Sequence, residues 1–569
     1  MNKILPIVLG LGLFCCFNSE VIAQERLPLL PDLLPLPQPQ PPEITPPSPP
    51  SDTPLEINPF RIPSGIDPQQ DLSTIITPKR FNFRGNTIFT DEKLQAIVAE
   101  YIGQPITVAD LFQIEQKLTA LYVDQGYINS GAFIANTREA IDPTNAEITI
   151  QIVEGRISEI EITGGKRLQK YIRARVQPTT QKVLREQDIQ EAFRWLQIDP
   201  LITGINAQLK PGVNAGQAVL ALTVETAKPL AVEVFANNNR APSVGTFERG
   251  ATAAYRNVTG LGDTFTLNYR NSPGSNLIGG SYTVPVNIQN GTIGVNFIYG
   301  NNSITEEPFN QIDLKTNAIQ AELSFRQPIL RKISSEQIQE IALGASISRL
   351  ESNESLLSIP FPLTEGADGE GQTDSTALRL FQEFSNRDRN DSIILRSQLN
   401  IGVPIATRNA DLFGNGTFLT VQAQALWAHQ FDRLIWVNRG GVQFADGPVI
   451  PSEQFSLGGV STVRGYRQDG VTRDSGLFFS SELRVPVFSG SAGSLQIVPF
   501  VDAGHAFSQS QRFIPDESQT LVSVGLGLRY DLNDRLAVRL DYGIPLLNRP
   551  DRRPALQEEG LYLSISWRF

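Results

Sequence analysis

The chain has 569 residues, a formal net charge of −11, two cysteines and two histidines. It is longer than one ordinary domain, and its negative charge gives no electrostatic footprint for nucleic acid. The histidines, His429 and His505, lie far apart in sequence, which argues against a histidine-based metal centre; no metal or cofactor is expected.

Lys3, the apolar run Ile4 to Phe17 and Val21-Ile22-Ala23 before Gln24 read as a secretory signal over residues 1–23. Cys15 and Cys16 both fall inside it, so its removal leaves a chain without disulfides or thiolate chemistry. No later run approaches the ~20 apolar residues of a spanning helix. A membrane crossing therefore requires a closed barrel, the other structure that satisfies every backbone polar group in lipid. Residues 24–77 are dense in proline from Pro28 to Pro63, a composition that favours extended polyproline II and reads as a semi-rigid linker.

From 78 to 156 the pattern changes. Arg80 to Ile88 reads as a strand. Thr90 to Ile102 reads as a helix with Leu94, Ile97, Val98 and Tyr101 on one face. Thr107 to Gln125 reads as a second helix, stopped at Gly126, with strands at Asn129 to Ile134 and Ala146 to Val153. The order β-α-α-β-β recurs over 157–228: a strand at Ile157 to Ile162, helices at Leu168 to Val176 and Asp188 to Leu196, and strands at Ala207 to Leu209 and Ala218 to Glu225. Two copies of one module are expected.

From 229 to 569 helical periodicity gives way to alternation with period two. Ile293, Val295, Phe297 and Tyr299 share a face, as do Leu536, Val538, Leu540 and Tyr542, and Leu561, Leu563, Ile565, Trp567 and Phe569. Apolar-out, polar-in alternation is the signature of an outer-membrane barrel, and at about 21 residues per strand with its connection the length allows about 16 strands. Val284-Pro285, Gln327-Pro328, Val485-Pro486 and Ile544-Pro545 are expected at short periplasmic turns. Glu351 to Thr373 and Asn386 to Asp391 are expected as extracellular loops.

Val463-Arg464-Gly465-Tyr466 places an arginine between apolar residues and a glycine, far from any helix signal. An arginine cannot deprotonate to escape a low-dielectric site, so it requires a carboxylate. In Leu495 to Ala503 alternation turns Phe500 and Asp502 to the lumen. On the preceding strand Glu482 has the same parity, beside Ser480 and Arg484. Arg464 is expected to pair with Asp502, with Glu482 as a second acceptor.

The two modules resemble POTRA domains, and the chain after the proline-rich segment resembles the two-partner-secretion transporters (haemolysin secretion/activation proteins of the ShlB/FhaC/HecB type), the TpsB branch of the Omp85 superfamily. The residues that carry this are Val463-Arg464-Gly465-Tyr466, Phe500-Val501-Asp502 and the turn Asn257 to Asp263. The resemblance implies two periplasmic POTRA domains and a 16-stranded barrel in the outer membrane. It also implies a lumenal loop tipped by the VRGY motif, and export of a secreted, β-helical exoprotein client of the TpsA type. Trp567 and Phe569 resemble the terminal signal read by the barrel-assembly machinery. Exposed module edges are expected to accept an extended client strand; Phe133 and Ile134 read as core or groove residues. Many relatives carry an N-terminal plug helix; the prolines from Pro28 argue against one here. The chain is expected to be a non-enzymatic monomer with lipid around its barrel. The alternative is an Omp85-type insertase of outer-membrane proteins, whose relatives carry more POTRA modules.

Overall fold

A computed structural model describes residues 56–57, 75–135, 146–307, 309–363, 367–404, 417–508, 518–533, 535–547 and 555–569. The signal segment, any plug helix and most of the linker lie outside the described residues.

The first module runs as strand Pro78–Arg84, helices α1 (Asp91–Val98) and α2 (Val108–Asp124), and strands Gly131–Ile134 and Ala146–Val153. α2 starts where its cap is made. The Thr107 hydroxyl accepts the Asp110 N–H, and the Asp110 carboxylate takes the Thr107 N–H at 2.7 Å, a reciprocal pair that satisfies two orphan donors. α1 is shorter than expected: Thr90 makes no side-chain cap, and the helix tightens into a 3-10 turn at Ala99–Tyr101. Leu94, Val98, Ile114, Leu118 and Tyr122 bury against Ile148, Ile150 and Ile152. Ile134 is part of this core and Phe133 is half-buried. Ile75–Ile76 pairs with Ile106–Thr107 and buries Ile76. The module therefore begins inside the stretch read as linker, because two β-branched residues follow the prolines.

The second module repeats the order with strand Arg156–Gly164, α3 (Gln169–Thr180), α4 (Glu186–Gln197) and strands Ile202–Pro211 and Gln217–Thr226. α3 runs past Val176 to include Pro178 near its end, and the Ala207–Leu209 segment is part of a ten-residue strand. The modules differ at equivalent sheet edges. In the first, helix side chains close the edge: the Ile134 N–H donates to Glu115 Oε1 at 2.6 Å and the Ala132 N–H to Thr119 Oγ1 at 3.0 Å. In the second, Glu56–Ile57 adds to the edge, parallel to Gln208–Leu209, so part of the linker is held in a sheet.

The remainder is a closed antiparallel barrel of 16 strands. They are β1 (Leu230–Asn237), β2 (Glu248–Arg256), β3 (Thr264–Ser272), β4 (Ser275–Pro285), β5 (Thr292–Ser303), β6 (Lys315–Ile333), β7 (Ile338–Leu356) and β8 (Gln372–Arg387). Next come β9 (Asp391–Gly402), β10 (Leu419–Phe431), β11 (Leu434–Ala445), β12 (Ser475–Gly490), β13 (Gly493–Phe507), β14 (Gln519–Leu532), β15 (Leu536–Pro545) and β16 (Leu561–Arg568). A two-residue strand, Ile359–Pro360, folds back on β7 within its loop. β1 closes on β16, Glu233 opposite Arg568 and Asn237 opposite Ser564. Large apolar side chains such as Val295, Phe297, Leu323, Leu526 and Leu563 stand exposed on the outer face, where lipid takes the place of a core. No helix among the described residues is long and apolar enough to cross a membrane; the crossing belongs to the strands.

Two expectations about punctuation fail. Only Val284-Pro285 ends a strand at a periplasmic turn. Pro328 and Pro486 sit at register shifts inside β6 and β12, where a bulge removes the need for an N–H donor. Pro545 ends β15 on the extracellular side. Strand order also reverses one loop: residues 388–390 form a periplasmic turn between β8 and β9, and the extracellular loop before β8 is shortened to 357–371 because β7 and β8 extend past the rim.

Candidate functional site

The longest described loop, residues 446–474, joins β11 to β12 and folds into the lumen. Its stem is a short hairpin, Phe455–Leu457 against Val471–Arg473. Phe455, Leu457, Val463, Tyr466 and Val471 bury against Ala506 and Leu521 of the wall. Arg379 of β8 grips the start of the loop through Glu453, at 2.7 and 3.0 Å.

At the tip Arg464 is 0 % exposed. Its Nε and Nη2 donate to Asp502 at 2.7 and 2.8 Å, and its backbone N–H donates to the same carboxylate at 3.1 Å. Nη1 reaches Glu482 at 3.2 Å and lies 3.5 Å from Asp541. The guanidinium stacks 3.4 Å above the centre of the Phe500 ring, so the aromatic covers the face of the cation that no carboxylate reaches. Arg484 and Arg539 add to the cluster, at 2.9 and 3.3 Å from Glu482, and Arg439 joins it through the Ser480 hydroxyl at 3.4 Å. Arg464, Arg484, Arg539 and the neighbouring Arg439 thus face three carboxylates, Glu482, Asp502 and Asp541, which offset most of the cost of burying the cations.

The neighbours of Arg464 fix its backbone. Gly465 has φ +94°, and a Cβ there would lie 3.0 Å from the Gly543 carbonyl oxygen; only glycine lets the tip lie flat on β15. The Gly465 N–H donates to the Tyr562 hydroxyl at 3.1 Å, and that hydroxyl donates to the Tyr466 carbonyl. The Tyr466 hydroxyl donates to the Leu547 carbonyl at 2.8 Å. Just beyond, Arg467 pairs with Glu306 at 2.7 Å and Glu558 at 3.3 Å. The Tyr466 hydroxyl also meets the Val522 carbonyl at 3.0 Å, so the tip touches β12, β13, β14, β15 and β16.

Sequence reasoning selected Arg464, Asp502, Glu482 and Phe500 but missed Asp541, Arg539 and Tyr562. Arg539 and Asp541 carry the signal of lumenal parity, alternating with Val538, Leu540 and Tyr542. Trp567 and Phe569 lie on the outer face at the periplasmic rim, apart from this cluster. Beside the loop a lumenal cavity of about 1020 Å³ remains. Its wall includes the ion pairs Arg326–Glu340 at 2.7 Å, Arg326–Glu383 at 2.6 Å and Arg396–Glu383 at 2.7 Å. Among the described residues no cluster could hold a metal ion.

Residues 216–530 match the family model for haemolysin secretion/activation protein ShlB/FhaC/HecB. The chain belongs to this family. Residues 76–155 match the ShlB-type POTRA domain, in agreement with a module that starts at Ile75. Relatives of this chain include the outer membrane transporter CdiB of Escherichia coli O6:K15:H31, 22% identical over 480 residues, covering 79% of this chain and 76% of the relative. The heme/hemopexin transporter protein HuxB of Haemophilus influenzae strain 86-028NP is 22% identical over 510 residues, covering 85% and 86%. Among solved structures, CdiB from Escherichia coli superposes with a TM-score of 0.64 at 19% identity, covering 90% of this chain and 94% of that one. BamA from Haemophilus ducreyi, lacking POTRA domains 1–3, gives 0.50 at 13% identity, covering 87% and 100%. Membership makes this chain an outer-membrane barrel with its POTRA region in the periplasm, and a transporter rather than an enzyme.

Proposed function

We propose that the chain exports one partner exoprotein from the periplasm, with residues 78–156 and 157–228 as two client-receiving POTRA domains and the loop at Arg464 as a latch inside the pore. The observation that carries the reading is the occupied lumen. A barrel of this strand number is wide enough for an aqueous channel, yet the folded-in loop leaves a cavity of about 1020 Å³. A folded client does not fit such a space, so it passes extended and only once the loop gives way. The mixed charges of Arg326, Glu340, Glu383 and Arg396 line that route without favouring one sign.

The test is deletion of the chain from its host, followed by comparison of surface, medium and periplasmic proteins. Export of a dedicated client predicts that a single large exoprotein leaves the surface and accumulates in the periplasm, while other barrels keep their abundance. General depletion of outer-membrane barrels would instead support the insertase reading and reject this one.

A further inference from the structure

The outer face of the barrel carries a polar cluster where lipid is expected. On β10, Leu419, Val421, Trp427 and Phe431 stand exposed while Thr420, Leu426 and Ala428 are buried, so His429 shares the lipid-facing side. It lies opposite Asp391 on β9 and Trp436 on β11. His429 Nδ1 and Trp427 Nε1 both meet Asp391 Oδ1 at 2.8 Å. One row further into the membrane Asn438 sits between Trp427 and Ser481. Its Nδ2 is buried and has no hydrogen-bond partner among the described residues. The rings crowd around this patch: Trp427 and Trp436 are 5.1 Å apart, His429 and Phe431 4.1 Å.

An aromatic belt at the membrane interface is ordinary. A carboxylate, a histidine and a donor amide within it are not, because polar atoms facing lipid cost free energy unless paired. The two flanking periplasmic turns add exposed Arg389 and Arg433, neither with an ion pair among the described residues. Of the nearby acids, Asp388 is spent on its own turn, accepting the N–H groups of Asn390 and Asp391 at 3.0 and 2.8 Å. Asp432 stands at the tip of the other turn. The arrangement offers cations at headgroup depth, an aromatic platform, the second oxygen of Asp391 as an acceptor and Asn438 Nδ2 as a donor.

We propose that this surface between the β8–β9 and β10–β11 turns binds one lipid of the periplasmic leaflet whose headgroup is anionic and bears hydroxyls. The arginines take its negative charge, Asp391 Oδ2 accepts from a hydroxyl, and Asn438 Nδ2 donates to an ester or glycerol oxygen. The site is independent of the export reading, since it lies outside the pore.

The test uses the full chain in detergent, mixed with equal amounts of phosphatidylglycerol and phosphatidylcholine and analysed by native mass spectrometry. The expected result is one retained phosphatidylglycerol, preferred over phosphatidylcholine by about five-fold or more. Arg389→Gln with Arg433→Gln brings the preference to parity, and Asn438→Leu lowers retention of both lipids. All these residues lie outside the barrel wall's ion-pair network, so the variants keep the folded, heat-modifiable gel mobility that serves as their control. Equal retention of the two lipids by the unmodified chain, or a preference that survives the double substitution, overturns the proposal.

Discussion

Arg464 makes the strongest demand in the molecule: a cation with no exposed surface that four side-chain N–H contacts hold in place, two of them to Asp502. Removing one partner of a buried pair costs about 3–5 kcal/mol, because the other charge is stranded. Asp502→Arg is therefore expected to release the tip and lower the exoprotein recovered in the medium several-fold. Adding Arg464→Asp restores only part of it, since an aspartate at 464 faces Glu482 and Asp541, which lie 3.2 and 3.5 Å from the present guanidinium. Secretion by Asp502→Arg at the unmodified level would sink the latch. Arg464 and Asp502 were legible because the motif is unusual and the parity of one strand points the acid inward. Asp541 was not: Arg529 and Asp531 have the same spacing and parity, yet pair with each other at 3.1 Å, away from the loop. Which strand the loop lies on is a matter of closure, and local alternation carries no trace of it.

At the scale of elements, Glu154 shows how one carboxylate ties a module together. It follows strand Ala146–Val153 and accepts the N–H groups of Thr87 and Ile88 at 2.6 and 2.7 Å, the Thr87 hydroxyl, and the Tyr122 hydroxyl of α2 at 3.0 Å. Burial pushes its carboxyl pKa up, but the bonds from the Thr87 hydroxyl, the two N–H groups and Tyr122 outweigh it and hold the group below its ordinary value of 4.5. A depressed folded-state pKa contributes stability that is present above the unfolded value and lost as pH falls through the folded one. Protection of the Thr87 and Ile88 amides against hydrogen exchange, corrected for intrinsic rate, should fall as pH drops below 4.5. Glu154→Gln should lower it already at neutral pH, by about 1 kcal/mol once solvent screening is allowed for. Unchanged protection in that variant would assign the loop's order to Phe89, whose ring meets Tyr122 at 4.7 Å. Elements of this kind were readable in advance where a face repeats, as in α2 and the barrel strands. Their ends were less so. A proline marks a place without a donor, but a bulge inside β6 satisfies it as well as a turn does, and a short polar run such as 388–390 does not state which side of the membrane it faces.

The whole molecule is a series of docked bodies. The first module is tied to the second by Asn129 Nδ2 to the Gly216 carbonyl at 2.8 Å and by the Leu184 N–H to the Gly155 carbonyl at 2.7 Å. The second is tied to the barrel by Arg167, which donates to the carbonyls of Val258 and Asn257 at 2.7 and 3.2 Å. Trp195 of α4 adds a contact, with the Arg331 guanidinium stacked 3.7 Å from its ring centre. Arg331 continues to Glu340 at 3.0 Å and Glu340 to Arg326 at 2.7 Å, so the docking contact joins the ion pairs that line the lumen. Modules joined by small polar contacts move by default; here three arginines oppose that motion at the mouth of the pore, the third being Arg175, whose Nη2 donates to Asn290 Oδ1 at 2.5 Å. The Arg167 and Trp195 contacts together contribute about 2–4 kcal/mol, so Arg167→Ala with Trp195→Ala should loosen the second module, held then by Arg175 and Asn290, without unfolding it. Spin labels on cysteines placed at Lys182 and Gln289, both exposed, report the distance between module and barrel by pulsed electron resonance. A narrow distribution in the parent chain should broaden in the double variant. If export requires the client to be handed to the lumen from a fixed position, secretion falls with it even though the latch at Arg464 is untouched. A broadened distribution with full secretion would separate docking from export and leave the lumenal loop as the step that limits passage.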